Sequence, residues 1–98
     1  MYFKNFYTGQ TEAEIEVKVR EEGFNPMKFH DNPGYVYTPH HHPETKLLAF
    51  VDGNMEVKVG EESFSCSKGD KLIIPGNTLH QATVGPTGCI FFWSEKLI

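Results

Sequence analysis

Chain breakers recur along this sequence at intervals too short for an ordinary helix. Gly23, Asn25-Pro26, Asn32-Pro33-Gly34, Pro39, Pro43, Asp52-Gly53, Gly60, Gly69-Asp70, Pro75-Gly76-Asn77 and Gly85-Pro86-Thr87-Gly88 divide it. Little room remains between them for a helix of about 10–12 residues. The segments they leave read as strands. Ala13, Ile15, Val17 and Val19 alternate with Glu14, Glu16 and Lys18, so residues 11–22 are expected to be a strand with Glu12, Glu14 and Glu16 on its solvated face. Met55, Val57 and Val59 alternate with Glu56 and Lys58 in the same way. Further strands are expected over Tyr35–Thr38, Leu47–Val51, Ser63–Ser65, Lys71–Ile74, Leu79–Val84 and Cys89–Trp93. Asp52-Gly53 sits between two such runs and predicts a hairpin turn. Short strands with turns this frequent predict an all-β sandwich or barrel.

At 98 residues the chain is expected to be a single domain, since domains run to roughly 100–200 residues. Two runs, Leu47–Val51 and Cys89–Trp93, are apolar on both faces of a strand. A second layer or a partner chain must therefore cover their outer sides. The longest apolar run is Leu47–Val51, far short of the roughly 20 residues of a membrane span. No basic segment leading into an apolar one marks a signal peptide at the N-terminus. The net charge of −4 argues against a nucleic-acid binder, which wants a basic face. Cys66 and Cys89 fit no metal or redox spacing and read as buried thiols of a cytoplasmic protein.

Histidine usage points to chemistry. His40, His41 and His42 are consecutive. On an extended chain His40, His42, Glu44, Lys46, Leu48 and Phe50 share one face, and His41 faces away into solvent. A His-x-His pair on a strand sets two imidazoles roughly 6–7 Å apart at their Cα atoms, where both can bind one cation. His80, preceded by the Pro75-Gly76-Asn77 turn and sharing parity with Ala82 and Val84, is the natural third ligand. His30 stands apart beside Asp31 and is given no special role. Tyr35, Tyr37, Phe50, Phe91 and Trp93 read as core or as pocket lining.

Gly34-x5-His40-x-His42, running on to Gly53, resembles the first motif of the cupin family. Gly69-x5-Pro75 followed by His80 resembles the second. The resemblance covers about residues 34–84, within a motif-bearing core of about 34–93. It implies a double-stranded β-helix, or jelly-roll barrel, and a divalent metal (zinc, nickel, manganese or iron) on His40, His42 and His80. It also implies a homodimer.

The chain departs from the family where a glutamate usually follows the second histidine by four residues; here Lys46 stands. Asn77 and Val84 replace a usual glycine and asparagine. A lysine ammonium about 5 Å from a divalent cation is repelled by roughly 6–7 kcal/mol at an effective dielectric of 20. Four arrangements fit. Lys46 swings out and leaves a three-histidine site, or it loses its proton; Glu44 supplies the carboxylate; or the histidines and Lys46 bind an anion without metal. Two functional readings follow. The first is a metal-dependent enzyme on a small polar molecule, with Lys46 or Glu44 as the acid–base group. The second is a non-catalytic module that binds or senses a small ligand, either metal-free or with a structural metal. A third reading, behind these two, is a purely structural β-domain that dimerises through its doubly apolar strands.

Overall fold

The computed structural model describes residues 1–97. It contains β1 (Tyr2–Phe3), α1 (Glu12–Glu21), β2 (Met27–Asp31), β3 (Val36–His40), β4 (Thr45–Val59), β5 (Glu62–Ser67), β6 (Lys71–Ile74) and β7 (His80–Lys96). All strand pairings are antiparallel. The frame is the pairing of the two long strands, β4 and β7, from Thr45 opposite Lys96 to Val59 opposite His80. The register shifts between Phe50 and Asp52 and again between Gly53 and Met55. Bulges of this kind bend and twist a ladder. On one side of the bend β6 flanks β4, with β1 beyond it, and β2 flanks β7. On the other side β5 flanks β4 and β3 flanks β7.

The two halves close over one core. Leu48, Phe50 and Phe91 from the first half pack in one cluster with Met55, Val57 and Val84 from the second. This is the double-stranded β-helix expected from the motifs.

The structure corrects three expectations. Asp52-Gly53 is not a hairpin turn. It lies inside β4, at the bend, where Gly53 has φ 76° and any Cβ would overlap the Gly88 carbonyl oxygen. The tight turn is Gly60-Glu61, because Val59 pairs with Glu62. Residues 85–88 likewise do not separate two strands but lie within β7.

Third, residues 12–21 are a helix, not a strand. The apolar residues at 13, 15, 17 and 19 satisfy a period of two, yet only Ile15 and Val19, one helical turn apart, are buried. Thr11 caps the helix: its side chain accepts from the Glu14 N–H, and the Glu14 carboxylate accepts from the Thr11 N–H. Acidic Glu12 and Glu14 in the first turn and basic Lys18 and Arg20 in the last complement the helix dipole.

This helix settles what covers the doubly apolar strands. Leu48 and Phe50 face the barrel interior, whereas Leu47 and Ala49 face outward and pack with Ile15, Val19, Tyr7 and Phe24. Phe92 of β7 joins that outer cluster, and Cys89 and Phe91 join the inner one. The covering layer therefore comes from the chain itself. Polar groups pin the layer down. Lys71, buried with its ammonium over the Phe3 and Phe6 rings, donates to Glu22, which also accepts from the Tyr7 hydroxyl at 3.1 Å. Asp70, 1% exposed, accepts from the Tyr2 hydroxyl and from the N–H groups of Asn5 and Ser67.

Both cysteines are buried. Burial, and secondarily the carboxylates nearby (Asp70 for Cys66, Asp31 for Cys89), pushes each thiol up to about 12. Neither is a nucleophile near neutral pH. Among the described residues no helix is long and apolar enough to cross a membrane.

Candidate metal centre

Three segments deliver the histidines. His40 ends β3 directly opposite His80, which begins β7. His42 lies in the short loop before β4, and a second turn grips that loop. Asn77, at φ 59°, donates its N–H to the His42 carbonyl at 2.7 Å, and the Gly76 N–H donates to the Thr45 hydroxyl at 3.3 Å. The approach is so close that a Cβ on Gly76 would overlap the Pro43 carbonyl oxygen.

The imidazoles converge. Ring centroids lie 4.3 Å apart for His40 and His80, 4.8 Å for His42 and His80, and 5.6 Å for His40 and His42. One ring nitrogen from each lies within 4.8 Å of the others. Each Nδ1 faces a backbone carbonyl two residues away: Thr38 for His40 (2.6 Å), Glu44 for His42 (3.2 Å) and Thr78 for His80 (2.8 Å). A carbonyl only accepts, so each Nδ1 carries the hydrogen and donates. The neutral ring then holds its lone pair on Nε2. This is the tautomer and orientation that backbone partners impose on histidine ligands. The Nε2 atom of His42 is buried and has no hydrogen-bond partner. Such an orphan is costly unless something binds it. His80 is 8% exposed. Burial, helped by the positive character of His40, His42 and Lys46, holds its imidazole below the ordinary value against the opposing pull of the Thr78 hydrogen bond. Three imidazoles that turn Nε2 toward one point fit a divalent metal.

Glu44 and Lys46 take different places. The Glu44 carboxylate is 4.0 Å from Nδ1 of His42, on the side of the ring that its own carbonyl occupies. It is absent from the converging group. Lys46 lines the same cavity as the three histidines and is 6% exposed. Its Nζ lies 3.7 Å over the Trp93 ring and donates to Glu95, the residue opposite it on β7. His41 and His30 are exposed and join nothing. Tyr37, Phe91 and Trp93 line the cavity, Phe50 is wholly in the core, and Tyr35 is exposed.

The cavity measures about 170 Å³. Leu48, Met55, Val57, Ile74 and Phe91 make up its apolar wall. Glu95 was not among the residues singled out from sequence, because only the β4–β7 register brings it to Lys46. The carbonyl partners had a readable sign: Thr38-Pro39-His40 and Thr78-Leu79-His80 repeat one spacing.

A small antiparallel jelly roll that turns three imidazoles toward one point, beside an apolar cavity, defines a class of β-barrel proteins with an internal ligand site. The chain belongs to the cupin domain family, whose model matches residues 27–94. Solved structures carry the same fold. KdgF from a Halomonas species is 26% identical, with a TM-score of 0.65 over 74% of this chain and 67% of that one. An RmlC-like cupin from Shewanella frigidimarina is 23% identical, with a TM-score of 0.69 over 76% and 67%. A double-stranded β-helix protein from Klebsiella pneumoniae is 24% identical, with a TM-score of 0.65 over 74% and 65%. The chain thus aligns with about two thirds of the length of these relatives. A search of curated proteins gives no match.

Proposed function

We infer that this protein binds one divalent metal ion through Nε2 of His40, His42 and His80 and receives a small organic molecule in the adjoining cavity. One observation carries the reading: all three Nδ1 atoms are spent on carbonyls, leaving three Nε2 atoms for one centre, with that of His42 buried and unpartnered. When bound, such an ion acts as a Lewis acid and holds a water or ligand in its remaining positions. The chain's own residues orient and enclose. Thr38, Thr78 and Glu44 fix the rings, and the apolar wall limits the size of the guest. If the protein turns its guest over, Lys46 is the acid–base group inside the cavity, and Glu44 acts by orienting His42.

A non-catalytic binding or sensing role is favoured by a separate observation. The one ammonium group in the cavity is already held by Glu95 and Trp93, which leaves no free base there. Cytoplasmic residence belongs to the same proposal. So does a homodimer, which rests on the family resemblance alone now that α1 covers the outer apolar face.

The decisive experiment measures metal in protein purified without an affinity tag, alongside His80→Ala. Near-stoichiometric metal in the parent and none in the variant is the expected result. If neither holds metal after soaking in zinc, nickel or iron, the reading fails. Turnover of a small-molecule panel by the metal-loaded parent then separates enzyme from binding module.

A further inference from the structure

The cavity has a chemical polarity that narrows what can enter it. At one end stand the three Nε2 atoms. The rest of the wall is apolar apart from Lys46 and Tyr37. The volume of about 170 Å³ is close to that of a cavity known to admit benzene, so the guest's body is a handful of carbon atoms. The Tyr37 hydroxyl is spent on Asp31 at 2.5 Å. Lys46 is therefore the one polar side chain besides the histidines that faces the guest with hydrogen-bonding capacity to spare.

That capacity can be counted. An ammonium carries three N–H donors. Glu95 takes one, and the Trp93 face holds the charge at 3.7 Å without accepting a conventional hydrogen bond. Glu95 is partly exposed, whereas the Lys46 side chain is 8% exposed. The pair therefore points from the surface inward, with its positive end in the cavity. Lys46 also lines the same cavity as the three histidines. The charge balance of the centre points the same way. Three neutral imidazoles leave a bound divalent cation uncompensated, and Lys46 and Glu95 offset only each other. The site is only partly enclosed, with His80 buried and His40 exposed, and that excess of positive charge favours an anion.

The geometry points to a small monocarboxylate with a short apolar body as the guest: its carboxylate lies between the histidine centre and the Lys46 ammonium, and its carbon chain lies against Leu48, Met55, Val57 and Phe91. Lys46 is then the residue that selects acid over neutral analogue, and Glu95 and Trp93 position it. The role of the histidine end rests on the metal-binding reading above. The role of Lys46 does not.

Calorimetry of the zinc-loaded protein with 3-methylbutanoate and with its neutral isostere 3-methylbutanamide tests this. Metal content is measured on each sample. The parent is expected to bind the acid at least about tenfold more tightly than the amide, the scale of a charge-assisted hydrogen bond. Lys46→Met should erase that preference with metal content unchanged, and Lys46→Arg should keep most of it. Should the lone Glu95 carboxylate unfold Lys46→Met, the double variant Lys46→Met/Glu95→Gln removes both charges and makes the same comparison. Equal binding of acid and amide by the parent, no binding of either, or a preference that survives in the methionine variants overturns the proposal. A parent without metal that still prefers the acid, and loses the preference with Lys46, upholds Lys46 while refuting the metal reading.

Discussion

Each histidine of the cluster makes its Nδ1 hydrogen bond to a carbonyl only two positions away, so each ring is oriented by its own stretch of backbone. That locality helps to explain why the trio was legible from motif spacing; strand parity was not the reason, because His42 lies in the loop between β3 and β4 and Glu44, expected on the same face, stays out of the group. Lys46 was legible as a departure from the family pattern, but its partner was not. Glu95 lies 49 positions away and meets Lys46 only through the β4–β7 register. Burial of His80 has a consequence for stability in metal-free protein. Its folded-state pKa lies below the ordinary value, which is about 6.5. In acid the unfolded chain therefore binds a proton that the folded chain refuses, and stability falls as pH drops through that value. Urea unfolding of the metal-free parent at about pH 7 and pH 5 should show a larger loss than in His80→Gln. Equal losses would show that His80 is not the group responsible.

At the scale of elements, the strands were largely readable and their connections were not. The breakers Gly69-Asp70 and Pro75 bounded β6, and alternation located the second half of β4 closely, because one face of it meets the core. It misplaced α1, since Ala13 and Val17 lie on the helix's solvent side and their spacing mimics a strand. Thr11 and Glu14, three positions apart, held the contrary signal of a capping box. Asp52-Gly53 misled for another reason: a glycine demanded by close approach of Gly88 looks like a glycine demanded by a turn. The turn at Gly76 makes a functional prediction. Gly76→Ala drives a methyl into the Pro43 carbonyl and displaces the loop that carries His42. Loss of such supporting contacts typically weakens metal binding roughly ten- to a hundredfold. Competition with a chelator should show that loss, with far-ultraviolet circular dichroism unchanged. Unaltered affinity would mean that His42 does not depend on this turn.

For the whole molecule, the metal reading predicts coupling between binding and folding. Histidines from β3, the following loop and β7 meet only in the closed barrel, so metal binds the folded state alone. Free metal at a hundred times its dissociation constant should add about 2.7 kcal/mol, or roughly 10–20 °C in a domain of this size. Differential scanning calorimetry should show that rise in the parent and none in His80→Ala. A parent midpoint indifferent to zinc and nickel would contradict it.

The bend in the β4–β7 ladder gives this coupling its shape. Straightened, β4 from Lys46 to Val59 would reach about 43 Å, longer than the molecule's greatest extent of 33 Å. Lys46 and Glu95 stand at one end of that ladder, and His80, opposite Val59, stands at the other. Lys46 and His80 share a cavity because the ladder is folded onto itself at Gly53. A guest touching both ends, as proposed above, would be a clasp across a closed book and would help to hold the covers together. A backbone cut at the spine, near Gly53, should weaken binding, because His40, His42 and Lys46 precede that point and His80 follows it.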